Sequence, residues 1–237
     1  MTAKIQQTTD SRQATKQEDA TDSRQTVMQK EPAGHLLATS ETTGLFTMWG
    51  HGYYNKKGVA VLATRPKMTV DIGYVYHYIR DGWAREQTAH LVEMLATTDN
   101  REQQAYKALN FETVTFAGRF SYRNAQHLIA PSPYMVLDVD HLGSTERARE
   151  VQRLFVGDRN VETALCFLSP RQEGVKWVIT LPEWCDSTTY RDRFLLMADY
   201  VGYEYGITVD ADGSDINRTC YLSYDPQCYC HPKFTPY

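Results

Sequence analysis

The sequence predicts an α+β fold in which a mixed or antiparallel central sheet is covered by helices. Residues 68–109 are dominated by helical spacing of apolar residues. From Val114 onward, short apolar runs bounded by turn residues alternate with helical segments. In this order of elements, helices come first and strands then alternate with helices. The order is typical of a fold in which helices pack on a sheet. The 237 residues are enough to bury a core.

Residues 1–34 form a polar N-terminal tail by composition, and we assign residues 35–237 to a single domain. The tail is rich in Gln, Thr, Ser, Asp and Lys and has few apolar residues. Such a segment cannot bury enough apolar surface to offset its loss of conformational entropy, so we expect it to be disordered. The pentapeptide TDSRQ occurs twice within it, which is too isolated for a structural repeat.

The first half of the predicted domain contains a strand followed by helices. A strand at Gly58–Pro66 ends at proline, which lacks the N–H needed for sheet pairing. Apolar residues recur at helical spacing within Met68–Gly82, and the glycine indicates a helix end. Two further helices fit Arg85–Ala96 and Arg101–Leu109.

The second half of the domain is predicted to alternate strands with helices. The extended run Val114–Tyr122 contains Gly118, which indicates a bulge or a turn. A short polar connection joins the predicted strands Glu162–Pro170 and Gly174–Leu181, which predicts that they pair as a hairpin. The other predicted elements are a strand at Tyr134–Leu142, a helix at Ser144–Phe155, strands at Glu162–Pro170 and Gly174–Leu181, a helix at Ser187–Tyr205 and a short strand from Ile207.

The run YMVLDVDHL, Tyr134–Leu142, carries the strongest functional signal. Asp138 and Asp140 are two residues apart on a predicted buried strand, so both carboxylates share one face. Two like charges side by side are unfavourable, whereas a divalent cation between them makes the arrangement favourable. We therefore predict a magnesium or manganese site suited to chemistry on phosphate groups. The alternative is a strand that ends in a polar turn, with Asp138 as a cap and Asp140 solvated.

Two further polar loops lie next to buried strands, where binding sites are common. One is SPRQEGVK, Ser169–Lys176, and the other is TVDADGSDINR, Thr208–Arg218. Asp210 is the candidate third acid, and Asp215 is its rival. An ordinary turn would also explain aspartates around a glycine.

The net charge of −4 excludes a global basic field, so a nucleic-acid site must be a local patch. Arg119 and Arg123, interleaved with Phe120 and Tyr122, could line such a site by charge and stacking. An ordinary amphipathic strand explains the same pattern.

No apolar run is long enough to span a membrane, and no apolar signal segment begins the chain. The five cysteines are an odd number and do not have the spacing of a disulfide framework, which fits a reducing compartment. We therefore expect a cytoplasmic protein.

The segments FAGRFSYRN, YMVLDVDHL, FLSPRQEGVKWVI and VDADGSDINRTCYLSYDP together resemble the VirE N-terminal domain family. The resemblance extends over roughly residues 70–232. That family lies ahead of primase–helicase-like regions in mobile genetic elements and is similar to the primase–polymerase superfamily. The resemblance implies a primase–polymerase-like, RRM-like core that acts in DNA replication. It also implies a template nucleic acid and nucleoside triphosphates as partners. A helicase, where one is needed, would be a separate polypeptide, or this chain would be part of a longer product.

The resemblance implies catalytic and metal-binding roles for three acids. Asp138 and Asp140 match the acidic pair of primase–polymerases, and Asp210 matches their third acid. Three carboxylates can hold the divalent cations, magnesium or manganese, that nucleotidyl transfer uses.

The resemblance also implies substrate-binding residues. Ser169 matches a small residue of the next motif, Lys176 occupies the place of its histidine, and Arg218 would face phosphate. Lysine departs from the pattern, because it binds phosphate but cannot copy a neutral imidazole. Two hypotheses therefore stay open: a metal-dependent primase–polymerase-like enzyme, or an inactive nucleic-acid-binding or helicase-docking module with the same fold.

Overall fold

The computed structural model describes residues 44–183 and 185–235. The predicted tail at residues 1–34 and the start of the predicted domain lie outside the described residues. Within the described part the chain is α+β, with five α-helices and antiparallel strand pairing throughout. The predicted α+β class with antiparallel pairing is confirmed at this level.

The five α-helices begin and end close to their predicted positions, with one exception. They are α1 (Ile72–Arg80), α2 (Arg85–Met94), α3 (Asn100–Asn110), α4 (Thr145–Val156) and α5 (Ser187–Tyr205). The side chains of Asp71, Asp99, Ser144 and Asp186 accept main-chain N–H groups at four of the N-termini. Each such cap stabilises a helix by about 1 kcal/mol. The prediction that α1 begins at Met68 was wrong, because residues 66–70 form a strand.

Twelve strands form two four-stranded sheets and two short ribbons within the described residues. They are β1 (Phe46–Trp49), β2 (Tyr53–Tyr54), β3 (Ala60–Val61), β4 (Pro66–Val70), β5 (Thr113–Thr115), β6 (Gly118–Phe120), β7 (Leu128–Pro131), β8 (Tyr134–Val139), β9 (Thr163–Leu168), β10 (Val175–Thr180), β11 (Cys220–Tyr221) and β12 (Tyr229–Cys230). The first sheet has the order β11-β5-β1-β4, and the second has the order β12-β9-β10-β8. The ribbons are β2-β3 and β6-β7.

Three sequence predictions about strands were wrong in detail. The predicted strand Gly58–Pro66 is reduced to β3, and proline begins the next strand instead of ending this one. The chain after Ile207 is not a strand, although it runs beside β8 and makes one main-chain hydrogen bond to it. The strands also divide between two sheets, where one central sheet was expected.

The second sheet is buried on both faces. One face packs against the first sheet and α1 around residues such as Phe46 and Val178. The other face packs against α4 and α5, where Phe155 stacks on Trp177 with ring centres 4.4 Å apart. Because strand residues alternate between faces, burial on both sides explains the continuous apolar runs of β8, β9 and β10.

No α-helix in the described part of the chain has the length and apolar character needed to cross a bilayer.

Candidate metal centre

The candidate site forms at the end of β8, at the margin of the core between the two sheets. Asp138 lies on the same strand face as Tyr134 and Val136, and both of these belong to that core. Antiparallel pairing places Lys176 of β10 directly opposite Asp138. The two residues are therefore held by rigid backbone at a point where apolar packing gives way to solvent.

Lys176 and Asp138 form an ion pair, and the lysine side chain is only 7% exposed. Burial disfavours the charged ammonium, but the negative charges of Asp138 and Asp140 outweigh burial and raise the pKa of Lys176. Lys176 therefore remains charged, and one face of the Asp138 carboxylate is occupied by its ammonium group.

Asp210 joins the acidic pair from a distant part of the chain. Its main-chain N–H donates to the carbonyl oxygen of Asp138 at 2.8 Å. Its side chain accepts the N–H of Asp212 at 3.1 Å and so begins a short 3₁₀ helix at Ala211–Ser214. Carboxylate oxygens of Asp138, Asp140 and Asp210 all lie within 4.8 Å of one another. The rival acid, Asp215, is exposed and stands outside this group.

The electrostatics of the cluster favour a bound cation. Burial raises the pKa of Asp138, Lys176 acts in the opposite direction, and the charges of Asp140 and Asp210 raise that pKa further. Asp138 Oδ1 and Ser169 Oγ are buried and have no hydrogen-bond partner among the described residues. Unpaired buried oxygens beside three carboxylates fit a hard divalent cation such as Mg²⁺ or Mn²⁺.

The loop between β9 and β10 brings Ser169 close to Asp140. A Cβ placed on Gly174 would lie 2.8 Å from Asp140 Oδ1 and 3.0 Å from Ser169 Oγ, and 2.6 Å from the carbonyl oxygen of Val139. Only glycine therefore lets the loop approach the end of β8 this closely. The residue after Asp140, His141, has φ of 60°, a left-handed conformation that is uncommon outside glycine and clusters at functional sites.

Arg218 lies on the open side of the cluster. Its guanidinium nitrogens are 3.6 Å from Asp210 Oδ2 and 3.2 Å from Asp212 Oδ2, and its side chain is 45% exposed. Asp138, Asp210 and Arg218 line a common small pocket. Because exposed ion pairs are weak, the Arg218 guanidinium is free to move to an incoming anion.

Two basic residues that the sequence analysis did not single out also lie near the cluster. The pKa of Lys107 on α3 is lowered to about 8, mainly by burial. The positive charges of Arg171 and Lys176 lower this pKa further, whereas the negative charges of Asp140 and Asp138 raise it. Arg171 hydrogen-bonds to Asn100 at the start of α3, which joins the β9–β10 loop to that helix. Nothing in the sequence marks Lys107, because its helix reads as an ordinary charged one.

The predicted nucleic-acid residues Arg119 and Arg123 are not brought into the acidic cluster. Arg119 lies on β6, and its Nε is buried without a partner in the described part of the chain. Arg123 donates from Nε to the carbonyl oxygen of Ala63 at 3.0 Å. Neither arginine makes a hydrogen bond or an ion pair to the three acids among the described residues.

The motif LSYDP, which contributed to the family resemblance, has a structural role. Asp225 is fully buried, and its carboxylate binds Arg149 at 2.7 Å and the N–H groups of Leu168 and Gln227 at 2.9 Å each. Ser223 donates its hydroxyl to the carbonyl oxygen of Leu168. The motif therefore anchors the C-terminal segment to the end of β9 and does not supply a group to the metal centre.

Comparison with known proteins gives one match. A family model described as BT4734-like, N-terminal domain, matches residues 106–230, which is more than half of the chain. No curated protein and no solved structure matches.

Proposed function

The chain belongs to the BT4734-like N-terminal domain family, whose matched region includes every candidate site residue, and we propose that it is a primase–polymerase-like nucleotidyltransferase domain. It would bind a nucleoside triphosphate together with magnesium or manganese and act on a template strand. The resemblance to the VirE N-terminal family supports this proposal. It also supports a role in the replication of a mobile element, in the cytoplasm and together with a helicase.

The convergence of Asp138, Asp140 and Asp210 carries the proposal. Three carboxylates whose oxygens lie within 4.8 Å repel one another unless positive charge is present. Lys176 supplies one positive charge, so the group keeps a net charge of −2 when all its members are ionised. A single divalent cation balances that charge, and the phosphates of a nucleotide would be needed before a second could bind.

Each side chain of the site has a distinct role in this proposal. Asp138, Asp140 and Asp210 hold the cation, which when bound would act as a Lewis acid on a phosphoryl oxygen. Ser169 can donate its unpaired hydroxyl to a phosphate oxygen. Lys176 fixes the orientation of the Asp138 carboxylate.

The charge of the triphosphate would be met by two side chains outside the carboxylate group. Arg218 can turn from its exposed pairs to a phosphate bidentately, and Lys107 can approach as a point charge from α3.

A second candidate is a nucleic-acid-binding or helicase-docking module without catalysis. The ion pair between Lys176 and Asp138 favours it, because an ammonium group in this position can substitute for a metal ion. In that case the acids would be neutralised within the protein, and nucleic acid would bind without divalent cation.

Calorimetric titration of the full chain with a nucleoside triphosphate, in the presence and absence of Mn²⁺, tests the proposal. We expect cation-dependent binding that Asp140→Asn and Asp210→Asn abolish, whereas Asp215→Asn retains it. Primer synthesis with labelled nucleotides on a single-stranded template separates the two candidates. Cation-dependent nucleotide binding without product would favour the module, and identical titrations in all variants would exclude the metal centre.

A further inference from the structure

Two segments of the chain contain basic residues and no acidic ones. They are residues 44–70 and residues 113–137. Their lysines and arginines are Lys56, Lys57, Arg65, Lys67, Arg119 and Arg123. All 29 acidic residues lie elsewhere in a chain of net charge −4. Lys67 is ion-paired with Glu112, which lies just outside the second segment. The other lysines and arginines leave the two segments locally positive in an acidic protein, so they can attract a polyanion that the whole molecule would repel.

These two segments are neighbours in the fold. β1 of the first pairs with β5 of the second. Arg123 also donates from its main-chain N–H to the carbonyl oxygen of Thr64 and from Nε to that of Ala63, each at 3.0 Å. Tyr122, which is 41% exposed, precedes it. The two segments are therefore in contact, and Arg123 of the second lies against residues 63–64 of the first.

The ribbon β2–β3, which we call the aromatic hairpin (Tyr53–Val61), is an exposed part of the first segment. Tyr53 pairs with Val61 across the ribbon and is 51% exposed. At the turn, the Asn55 side chain accepts the N–H groups of Lys57 and Val59 at 2.9 and 3.1 Å, which fixes the loop. Lys56 and Lys57 project from it into solvent. An exposed aromatic ring beside two lysines combines a stacking platform with phosphate contacts.

The base of the aromatic hairpin is fixed close to the metal centre. Gly52 donates its N–H to the carbonyl oxygen of Ala108 at 2.8 Å, and a Cβ on Gly52 would lie only 2.4 Å from that oxygen. The neighbouring Lys107 places Nζ 5.2 Å from the ring centre of Tyr221. Tyr221 follows Cys220, which lines the small pocket with Asp138. A strand on the hairpin could therefore reach the acidic cluster across α3.

The two tyrosines of β2 face different surroundings. Tyr54 lines a cavity with Asp99, Arg101 and Glu102 of the α3 N-terminus, where two acids face one base. Successive residues of a strand point to opposite faces, so Tyr53 faces away from this cavity. The acids therefore adjoin Tyr54 and not Tyr53.

We propose that the aromatic hairpin binds the single-stranded nucleic acid on which the domain acts, with a base stacked on Tyr53 and phosphates on Lys56, Lys57 and Arg123. The inference rests on the proposed function, because it takes the bound strand to be the template. Charge complementarity to a chain of phosphates favours this occupant, since Lys56, Lys57 and Arg123 belong to segments without acidic residues and the surface has separate exposed rings in place of a continuous apolar face.

Fluorescence anisotropy of a labelled oligothymidylate with the full chain, over a series of NaCl concentrations, tests the inference. Neither nucleotide nor divalent cation is added, so the acidic cluster is not required. Replacing both Lys56 and Lys57 by alanine should reduce the slope of log affinity against log salt by about 1.4, given about 0.7 for each phosphate contact of a single strand. Tyr53→Ala should weaken binding about tenfold through lost stacking.

Two matched variants serve as controls. Tyr54→Ala removes the ring that faces Asp99 and Glu102, and Arg191→Ala removes an exposed positive charge from α5. We expect both to bind the oligonucleotide like the wild type.

Each alternative outcome has a defined meaning. The inference is overturned if the wild type does not bind, or if Tyr53→Ala and the double lysine variant bind with unchanged affinity and salt slope. It is also overturned if these variants lose binding only to phosphatidylserine vesicles, which would identify a membrane surface. The hairpin variants should keep cation-dependent nucleotide binding. Asp140→Asn should lose nucleotide binding but still bind the oligonucleotide. A failure of the proposed function would therefore be distinguished from a failure of the hairpin inference.

Discussion

Lys176 lies directly opposite Asp138 across β10 and β8, and its ammonium group is ion-paired with that carboxylate. Asp140 and Asp210 complete the acidic group and leave it with excess negative charge. The lysine therefore works as a permanent partial counterion, and a divalent cation would supply the remainder. Because Lys176 and the cation share the neutralisation of the acids, substitutions at these residues should change both the stability of the protein and its affinity for cations.

Lys176→Ala should destabilise the protein by about 3 kcal/mol or more, because it leaves Asp138 as an uncompensated buried charge. Urea unfolding with a fitted free energy measures the loss. Adding Asp138→Asn to Lys176→Ala should recover part of it, and Mn²⁺ should recover part of it in the single variant by replacing the missing positive charge. Equal losses in the single and double variants, unaffected by Mn²⁺, would show that the ion pair does not govern the site.

Asp140→Asn should stabilise the protein in the absence of divalent cation. The substitution removes like-charge repulsion from Asp138 and Asp210, which at these separations is worth on the order of 1 kcal/mol. The same variant should lose the rise in melting temperature that Mn²⁺ gives the wild type, since a ligand that binds only the folded state stabilises it. Asp215→Asn is the control and should keep that rise. A variant less stable than the wild type without metal would argue against electrostatic conflict at the site.

The sequence predicted the part of the site that is local and missed the part that depends on tertiary structure. Asp138 and Asp140 were predicted on one strand, but β8 ends at Val139, so Asp140 lies just beyond it. Their closeness is nevertheless local, because only Val139 separates them in the sequence. Asp210 reaches them through a main-chain bond to β8, and sequence reasoning could not choose between it and Asp215. Lys107 approaches from a helix with no distinguishing pattern.

The fold shows the same limit. The long helix α5 was predicted at its observed bounds, because repeated helical spacing is a strong signal. The two-residue strands β11 and β12 have too few residues to show any period. They pair with β5 and β9, which are far away in the chain, so the edge strands of the two sheets were not predictable.

Gly174→Ala should weaken cation binding at least tenfold while leaving a folded protein. The added methyl group would lie 2.6 Å from the Val139 carbonyl oxygen and 2.8 Å from Asp140 Oδ1, so the loop or the carboxylate must move. Gly202→Ala on α5 is the control, since its Cβ would meet nothing closer than 3.9 Å and alanine favours a helix. Mn²⁺ titration followed by electron paramagnetic resonance measures both affinities. Equal affinities would mean that the close approach of this loop is not needed.

Lys107→Gln should weaken nucleotide binding, and it should reduce the dependence of that binding on pH. The pKa of Lys107 is lowered to about 8, so its positive charge is lost as the pH rises through that value. Wild-type affinity for a nucleoside triphosphate should therefore fall over this interval, with a flatter profile in the variant. Lys233→Gln is the control, because Lys233 pairs with Glu162. Parallel profiles for wild type and Lys107→Gln would remove Lys107 from the site.

Asp158→Asn should destabilise the protein near neutral pH, with an effect that vanishes in acid. Burial alone would raise the pKa of Asp158, but hydrogen bonds from Tyr205, Asn160 and Tyr200 outweigh it and lower that pKa. The hydroxyl of Tyr200 donates at 2.9 Å and the N–H of Asn160 at 2.7 Å. Hydrogen bonds to a charged group are worth more than neutral ones, and partial solvent screening leaves a loss of about 1 kcal/mol.

The sign of this pH dependence follows from the lowered pKa. In the unfolded chain the carboxyl of Asp158 has a pKa of about 3.9. Its stabilising contribution is therefore complete above that pH, and it is lost as the pH falls through the lower pKa of the folded state. The difference in unfolding free energy between wild type and Asp158→Asn should therefore shrink towards zero in acid. Urea unfolding of both proteins at a series of pH values measures it. A difference that stays constant with pH would show that the loss comes from packing and not from the charge of Asp158.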